Sequence, residues 1–362
     1  MKITFLGGGS YRVLPIVRGL LGARELHGCQ IALFDTVQPR AEAMARMIRR
    51  CPEFAGSGAA VACHATAEPA LAGADLVQIG FAVGDPGANR LSQLASWRHG
   101  FMASDNLSPL GSFLGMKAGP AILGYARQME RLCPDAWFLI FTNPVAVYSA
   151  LVNNHTRVRA LGVCGGYTNH MWDLPRLMGH DEFRPDFEVE VAGVNHLSFI
   201  LRGRHRGRDL FAMLGEHLTP QWRPPRLTTE AHRHLRAHIR YALRRLHWLF
   251  NRFGTVIFST EGDGMAHVFY EDMYERGRES RRRGRRPYNM RQAAAAGRAA
   301  RERLDAEFAT LAAGDRLPDG LWDSATQPDR RFHRLDEDAT VRAARALAAG
   351  SGLDIVASHT NR

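Results

Sequence analysis

The first half of the chain alternates between short apolar runs and stretches in which apolar residues recur at helical spacing. The runs of strand length are KITFL, QIALFD, AVACHA, ADLVQIGFA and DAWFLIF, and helical stretches such as AEAMARMIRR and ILGYARQMERLC lie between them. Strands that alternate with helices are typical of a parallel sheet covered on both faces. The pattern therefore predicts an α/β fold with a Rossmann-type, doubly wound sheet.

The second half reads differently, because its pattern becomes mainly helical beyond residue 200. A strand-like alternation at 187–203 comes first, and apolar residues then recur at helical spacing, namely Leu235, Ile239, Leu243, Leu246 and Phe250. We therefore expect two domains. Residues 1–185 would form a nucleotide-binding Rossmann domain, and residues 186–362 a mainly helical α+β domain for substrate, metal and oligomer contacts.

Charge changes this picture little. The formal net charge is +11, and only Lys2 and Lys117 among the 47 basic residues are lysines. Much of the excess lies in the arginine-rich run at 276–286, which lacks interleaved aromatic residues. Because stacking aromatics usually accompany the basic residues of single-stranded nucleic-acid sites, we interpret the run as a solvated segment. No nucleic-acid partner is expected.

No segment approaches the roughly 18–20 apolar residues that cross a bilayer. The apolar run at the N-terminus is too short for a signal peptide and continues into a glycine turn. We therefore expect a cytoplasmic protein without a membrane partner. The five cysteines are odd in number and lack CxxC spacing, so neither a disulfide framework nor a zinc knuckle is predicted.

A glycine turn follows the first predicted strand. Gly7, Gly8, Gly9 and Ser10 open onto a helix, whose N-terminus favours a pyrophosphate. Asp35 ends the second strand, where a carboxylate binds the ribose hydroxyls and favours NAD over NADP. Arg12 stands where the fingerprint has its third glycine, but the strand, the turn, the helix and the aspartate together predict an NAD site.

Two further strand ends carry polar groups. Thr142, Asn143 and Pro144 follow a buried strand at the sheet edge where ligands collect. A plain Asx turn would explain the same letters, but we favour a substrate contact for Asn143. Cys164 ends the next predicted strand, VRALGVC.

The alternation at 187–203 breaks at Gly193-Val194-Asn195-His196. A single cysteine or histidine is more often structural than a ligand. Together, Cys164 and His196 form a donor pair suited to a transition metal, with positions left open for substrate oxygens.

The ordered set GGGS, PDAWFLIFTNPV, GVCGG and AGVNHLSF resembles glycoside hydrolase family 4, the NAD- and metal-dependent glycosidases related in fold to lactate and malate dehydrogenases. The resemblance runs over most of residues 1–270. CPDAWFLIFTNP and GVNHLS are its specific parts, because their order and spacing match as well as their letters.

The resemblance implies hydrolysis of O-glycosidic bonds by redox and elimination. NAD takes a hydride from C3 of the sugar, the resulting ketone acidifies the C2 proton, and Mn²⁺ or another divalent metal stabilises the enediolate. A base removes that proton, the aglycone leaves, water adds and NADH returns the hydride. The two-carboxylate route of most glycosidases is not used.

The resemblance also assigns roles to residues. Cys164 and His196 match the metal ligands, and Gly7 to Ser10 with Asp35 match the cofactor site. Substrate contacts fall to three residues, Asn143, Asn195 and Arg90.

The catalytic base has no clear match, and three candidates lie in the later segment FGTVIFSTEGDGMAHVFYED, namely Asp263, His267 and Tyr270. The substrate would be an α-glycoside or α-uronide, and the chain a homodimer or homotetramer.

The chain departs from the family pattern at two places. Gly165 stands where members commonly have a histidine, and the C-terminus is short. Two other functions therefore stay open. One is an NAD-dependent 2-hydroxy-acid or sugar dehydrogenase, which would release NADH. The other is a degenerate, non-catalytic NAD-binding homologue, against which the retained pair Cys164 and His196 counts.

Overall fold

The computed structural model describes residues 1–99, 101, 104–106, 108–164, 170–229, 236–257, 290–317, 338–353, 355, 357 and 359. These residues belong to two compact units. The first holds residues 1–164 with the described parts of 288–322 and 334–362, and the second holds the described parts of 165–287.

A six-stranded, all-parallel sheet forms the centre of the first unit, with the strand order β3-β2-β1-β4-β5-β6. This is the order of a doubly wound Rossmann sheet, so the predicted fold class is confirmed. The strands are β1 (Lys2–Leu6), β2 (Gln30–Phe34), β3 (Ala60–His64), β4 (Leu76–Ile79), β5 (Trp137–Ile140) and β6 (Arg159–Gly162).

Helices cover both faces of this sheet. Neighbouring strand residues alternate between two apolar clusters, so that Ile3 and Phe5 belong to one cluster and Leu6 to the other. The helices of the first unit are α1 (Val13–Gly22), α2 (Gln38–Arg49), α3 (Pro52–Ala55), α4 (Ala67–Leu71), α5 (Pro86–Arg98), α6 (Pro109–Leu132), α7 (Val145–His155), α11 (Met290–Ala313) and α12 (Ala339–Ala349), with a 3₁₀ turn at Arg24–Leu26.

The strand register aligns the carboxyl ends of five strands. Leu6 lies beside Phe34 and Ile79, and Ile140 lies beside Ile79 and Gly162. Whatever follows these residues in the chain therefore emerges at one edge of the sheet. The glycine turn, Asp35, the TNP turn and Cys164 all do so.

Helices α11 and α12 belong to the first unit, whereas the sequence predicts that residues 186–362 form a second domain. Phe308 of α11 and Val341 of α12 are buried in the same apolar cluster as Leu14 of α1. The expected boundary at residue 185 thus does not coincide with the compact units. An amphipathic pattern shows that a helix buries one face but not which surface it is buried against.

The second unit contains a hairpin and packed helices. Its described elements are α8 (His170–Leu177), β7 (Phe187–Val194), β8 (Leu197–His205), β9 (Arg208–Asp209), α9 (Leu210–His217) and α10 (Arg236–Phe253). Strands β7 and β8 are antiparallel, and α10 buries Ile239, Leu243 and Leu246 as their spacing predicted. The arginine-rich run at 276–286 lies outside the described residues.

A buried ion pair supports the second unit. Arg176 Nε and Asp181 Oδ1 are 2.8 Å apart, and their side chains are 3% and 4% exposed. Asp181 Oδ2 also accepts hydrogen bonds from the backbone N–H groups of Thr228 and Thr229. Burial by itself raises the pKa of Asp181, but the bonds from Thr229 and Arg176 outweigh it and leave the pKa below its usual value.

None of the helices in the described ranges combines the length and the apolar character that a membrane span requires.

We expect Phe308→Ala to destabilise the first unit. Phe308 is 3% exposed and meets the ring of Tyr11 edge-on, with centroids 5.1 Å apart. Its removal leaves a cavity, so the free energy of unfolding in urea should fall by about 3–5 kcal/mol. The matched control is Leu304→Ala, since Leu304 lies on the same helix and is 39% exposed. Equal losses for both variants would contradict the docking of α11.

Candidate functional site

The glycine turn lies directly against the end of β2. Gly7 has φ +85°, a conformation that favours glycine. The N–H groups of Gly7 and Gly8 both donate to the carbonyl of Phe34, at 2.9 and 2.8 Å. A Cβ on Gly8 would come within 2.9 Å of the Leu33 Cβ, and one on Gly9 would overlap the Cβ of Arg40. A side chain on Gly8 would therefore push the turn away from β2, and one on Gly9 would push it away from α2.

Asp35 is oriented by two backbone bonds. Its Oδ2 accepts from the N–H of Gly9 at 2.9 Å, and its Oδ1 accepts from the N–H of Val37 at 2.9 Å. Asp35 therefore fastens the glycine turn to β2 while it also lines the cavity described next.

A cavity of about 590 Å³ opens at the carboxyl edge of the sheet, and all its lining residues belong to the first unit. Gly7, Gly9, Ser10 and Asp35 line one part of it, and Thr142 and Asn143 line another. The structure thus brings the predicted cofactor residues, except Gly8, and the predicted substrate contact Asn143 into one space. A narrow turn without Cβ atoms, a carboxylate directly after β2 and a cavity of this volume fit a dinucleotide.

The TNP turn is fixed by hydrogen bonds to two neighbouring segments. Thr142 Oγ1 accepts from the N–H of Phe81 at 3.1 Å and donates to the Phe81 carbonyl at 3.0 Å. Asn143 Nδ2 donates to Asp105 Oδ2 at 2.9 Å. The Asn143 amide is therefore held in one orientation. Asp105 carried no signal in the sequence, because it lies in an irregular segment without periodicity.

Several cations line the same cavity, and sequence reasoning gave them no role there. Lys117 of α6 donates from Nζ to Asn89 Oδ1 at 3.2 Å. Arg40 and Arg301 also line the cavity, and each makes an ion pair with Asp305 at 3.0 Å. The sequence hides these contacts, because α11 comes from a distant part of the chain.

Arg12, in the third-glycine position, lines the cavity as well. Its guanidinium carbon lies 4.0 Å from the centre of the Phe141 ring. Its Nη2 lies 3.3 Å from Asp338 Oδ2. The substitution of arginine for glycine was visible in the sequence, but its two partners were not.

The predicted metal ligands lie in separate units. Cys164 is half-buried in the first unit, two residues after the end of β6. His196 is buried in the second unit, with φ +63°. Asn195 and His196 form the turn between β7 and β8, so they join two strands and do not interrupt one. Within the described ranges, no three His, Cys, Asp or Glu side chains form a group that could hold a metal.

The other four cysteines are poorly suited to metal binding. Burial raises the pKa of Cys51 to about 12 and that of Cys133 to about 11. Burial also raises the pKa of Cys29 and of Cys63. Because the thiolate is the form that binds a metal, burial disfavours metal binding by these four thiols.

The structure brings none of the remaining predicted residues into the described part of the cavity lining. Arg90 lies in helix α5, and Gln93 of the same helix lines the cavity. The three candidates for the base, Asp263, His267 and Tyr270, lie outside the described residues, as does Gly165.

Comparison with known proteins follows the same motifs. Residues 2–179 match the model of the family 4 glycosyl hydrolases. The chain is 28% identical over 216 residues to an α-galactosidase of Bacillus subtilis, a match that covers 58% of this chain and 49% of the relative. It is 28% identical over 221 residues to a 6-phospho-β-glucosidase of Escherichia coli, which covers 59% and 48%.

The chain thus spans about half the length of the curated relatives it matches. A solved structure extends the similarity of fold. It is a 6-phospho-α-glucosidase from gut microorganisms in complex with NAD and Mn²⁺, with a TM-score of 0.70, 15% identity, and 95% of this chain and 73% of that chain covered. The motifs and the family match agree over the Rossmann sheet and its carboxyl edge. Residues 2–179 of this chain are thus similar to glycosyl hydrolase family 4.

Proposed function

We propose that this chain is an NAD- and divalent-metal-dependent glycosidase that cleaves O-glycosidic bonds by transient oxidation at C3 and elimination of the aglycone. The observation that carries the proposal is the single cavity into which the glycine turn, Asp35 and Asn143 converge. A cofactor held at the turn would extend along the same edge to the substrate contact. The family match supports the same activity.

The residues of the glycine turn would hold the cofactor. Asp35 accepts hydrogen bonds from the N–H groups of Gly9 and Val37. A carboxylate at this position can also accept hydrogen bonds from the ribose hydroxyls of NAD. When bound, NAD would supply reversible hydride transfer, which the side chains of this cavity cannot perform themselves.

Asn143 would orient the sugar. Because its Nδ2 donates to Asp105, the amide oxygen of Asn143 points away from that carboxylate. This oxygen can accept a hydrogen bond from a sugar hydroxyl. The bonds between Thr142 and Phe81 hold the turn rigid. A fixed acceptor helps to present one ring position to the cofactor.

Cys164 and His196 are proposed as metal ligands. A thiolate and an imidazole suit manganese or a neighbouring transition metal, and such a pair leaves positions for substrate oxygens. When bound, the metal would act as a Lewis acid on oxygens next to the reacting carbon. The support for this pair is the match of the motifs GVCGG and AGVNHLSF in order and spacing.

The substrate proposed is an α-glycoside or α-uronide, with Asn195 and Arg90 as further contacts. The similarity to the Bacillus α-galactosidase supports the α configuration, and the similarity to the 6-phospho-β-glucosidase points to the β alternative. Asp263, His267 and Tyr270 remain the candidates for the base that removes the C2 proton. A homodimer or homotetramer remains a prediction.

The direct test is a panel of aryl α- and β-glycosides and uronides, assayed with and without NAD⁺ and Mn²⁺ under reducing conditions. We expect aglycone release only when both are present, without net accumulation of NADH. A steady rise in NADH that matches turnover would instead identify a dehydrogenase. Binding of NAD⁺ without turnover of any compound would favour a non-catalytic homologue.

Gly9→Ala should weaken cofactor binding. The added Cβ overlaps the Arg40 Cβ of α2 and lies 3.0 Å from Asp35 Oδ2, so the turn must move away from α2 and from the Asp35 carboxylate. We expect the Kd for NAD⁺ in calorimetry to rise about tenfold or more, equivalent to about 1.4 kcal/mol or more. Gly22→Ala is the control, because a Cβ at Gly22 meets nothing within 4 Å. An unchanged Kd for Gly9→Ala would exclude the turn as the cofactor site.

Cys164→Ser should abolish Mn²⁺-dependent hydrolysis and leave NAD⁺ binding largely intact, because a hydroxyl replaces the thiolate ligand. Hydrolysis is measured at saturating NAD⁺ across a Mn²⁺ titration. Cys63→Ser is the matched control, since Cys63 is also half-buried and its Sγ contacts the Ala41 carbonyl at 3.2 Å. Hydrolysis by Cys164→Ser at the wild-type rate would show that the metal assignment is wrong.

A further inference from the structure

The backbone N–H groups of the glycine turn are largely used within the protein. Gly7 and Gly8 donate to the Phe34 carbonyl, and Ser10 donates to the Gly7 carbonyl. Gly9 donates to Asp35. In a Rossmann fold these amides usually face the pyrophosphate of the dinucleotide. In this chain the turn therefore offers fewer backbone donors to an anion than its letters suggest.

The start of helix α1 also offers few backbone N–H groups to an anion. The N–H of Arg12 approaches Ser10 Oγ at 3.4 Å, and that of Val13 donates to the Ser10 carbonyl at 2.9 Å. Pro15, in the first turn of the helix, has no N–H. A bound pyrophosphate carries two negative charges, so a side chain must supply much of the compensating charge.

Arg12 is the cation placed to do so. It is the N-cap residue of α1, and it lines the cavity together with Gly9 and Ser10. A guanidinium binds phosphate oxygens through a planar set of N–H donors. The third-glycine position of the fingerprint thus carries a group whose chemistry matches the pyrophosphate.

Two contacts orient this guanidinium. The Phe141 ring lies 4.0 Å from its central carbon, which restricts the side chain to the sheet edge. Asp338 Oδ2 lies 3.3 Å from Nη2, while Asp338 Oδ1 caps helix α12 by accepting from Thr340 N–H at 2.8 Å. Since charge-assisted N–H···O bonds are usually about 2.7–2.9 Å long, Asp338 positions Arg12 through a weak ion pair.

The other cavity cations are placed differently. Arg40 and Arg301 share Asp305, and Arg40 lies where a Gly9 Cβ would point, beside Asp35. That position belongs to the ribose part of a bound dinucleotide. Lys117 is held by Asn89 on α5, the helix that follows β4.

We propose that Arg12 binds the pyrophosphate of the dinucleotide and so replaces backbone donors that the glycine turn has committed to β2. The inference rests on the proposed function in that it takes the bound dinucleotide as given. It adds a cofactor-binding side chain, oriented by Asp338 on a helix beyond the family match at 2–179.

Calorimetric binding of ADP-ribose and of adenosine to the full chain tests this role, because only ADP-ribose carries the pyrophosphate. Arg12→Met keeps an apolar stem over Phe141 but removes the charge. We expect its Kd for ADP-ribose to rise about 10- to 100-fold, with the Kd for adenosine changed less than about twofold. Arg12→Lys keeps the charge without the planar donor set and should fall between Arg12→Met and wild type.

The matched control is Arg345→Met. Arg345 lies on α12 and pairs with Glu25 at 3.0 Å, but it does not line the cavity. Its loss removes an ion pair between α12 and the 3₁₀ turn at Arg24–Leu26, as the loss of Arg12 removes one between Asp338 and the N-cap of α1. We expect the affinity of this variant for ADP-ribose to match wild type. In wild type, ADP-ribose binding should weaken more steeply with salt than in Arg12→Met.

Three results would overturn the role of Arg12. The first is equal ADP-ribose affinity in wild type and Arg12→Met. The second is a parallel loss of adenosine and ADP-ribose binding, which would make Arg12 a structural residue. The third applies if Arg12→Met fails to fold, in which case Arg12→Lys is used instead. If a cooperative thermal transition shows that Arg12→Lys is folded, wild-type affinity of this variant for ADP-ribose would overturn the role. If wild type itself binds neither NAD⁺ nor ADP-ribose, the proposed function fails first.

Discussion

The contact between the glycine turn and the end of β2 is the constraint on which the site depends. Without Cβ atoms on Gly8 and Gly9, the backbone reaches the Phe34 carbonyl and the Asp35 carboxylate. That approach sets where helix α1 begins, and with it the position of Arg12 beside Phe141. It also opens the cavity at the carboxyl edge. These hydrogen bonds hold the turn rigid, but they also occupy its backbone N–H groups. The turn therefore has fewer N–H groups left to bind an anion.

The register of the parallel sheet brings residues from distant parts of the sequence to one site. Because β1, β2, β4, β5 and β6 end level with one another, residues that follow different strands meet at one edge. The bonds from Thr142 to Phe81 connect the ends of β4 and β5, and Asn143 is held by Asp105. A cofactor position and a substrate position can therefore share one cavity although about a hundred residues of chain separate Asp35 from Asn143.

Helices α11 and α12 complete the first unit although they come from the C-terminal part of the chain. Helices α11 and α12 bury Phe308 and Val341 against the Rossmann sheet. They also bring Asp305 and Asp338 to arginines at the cavity rim. The matches to the curated relatives cover about half of each relative, and these helices lie beyond the segment that matches the family. The first unit thus closes its core with elements from the end of the chain.

The sequence by itself determined the Rossmann sheet, the glycine turn with Asp35, and Asn143 at a strand end. Each of these can be recognised from the local spacing of apolar residues or from a short motif. It also marked Cys164 and His196, which stay predictions as metal ligands. The tertiary structure alone decided that Asn195 and His196 form a hairpin turn and that α11 and α12 return to the first unit. It also decided that Arg12 meets Phe141 and Asp338. The hairpin turn is local, but the contacts of Arg12, α11 and α12 join residues far apart in the chain. A periodic pattern specifies that a face is buried, but the partner depends on how all the other faces pack.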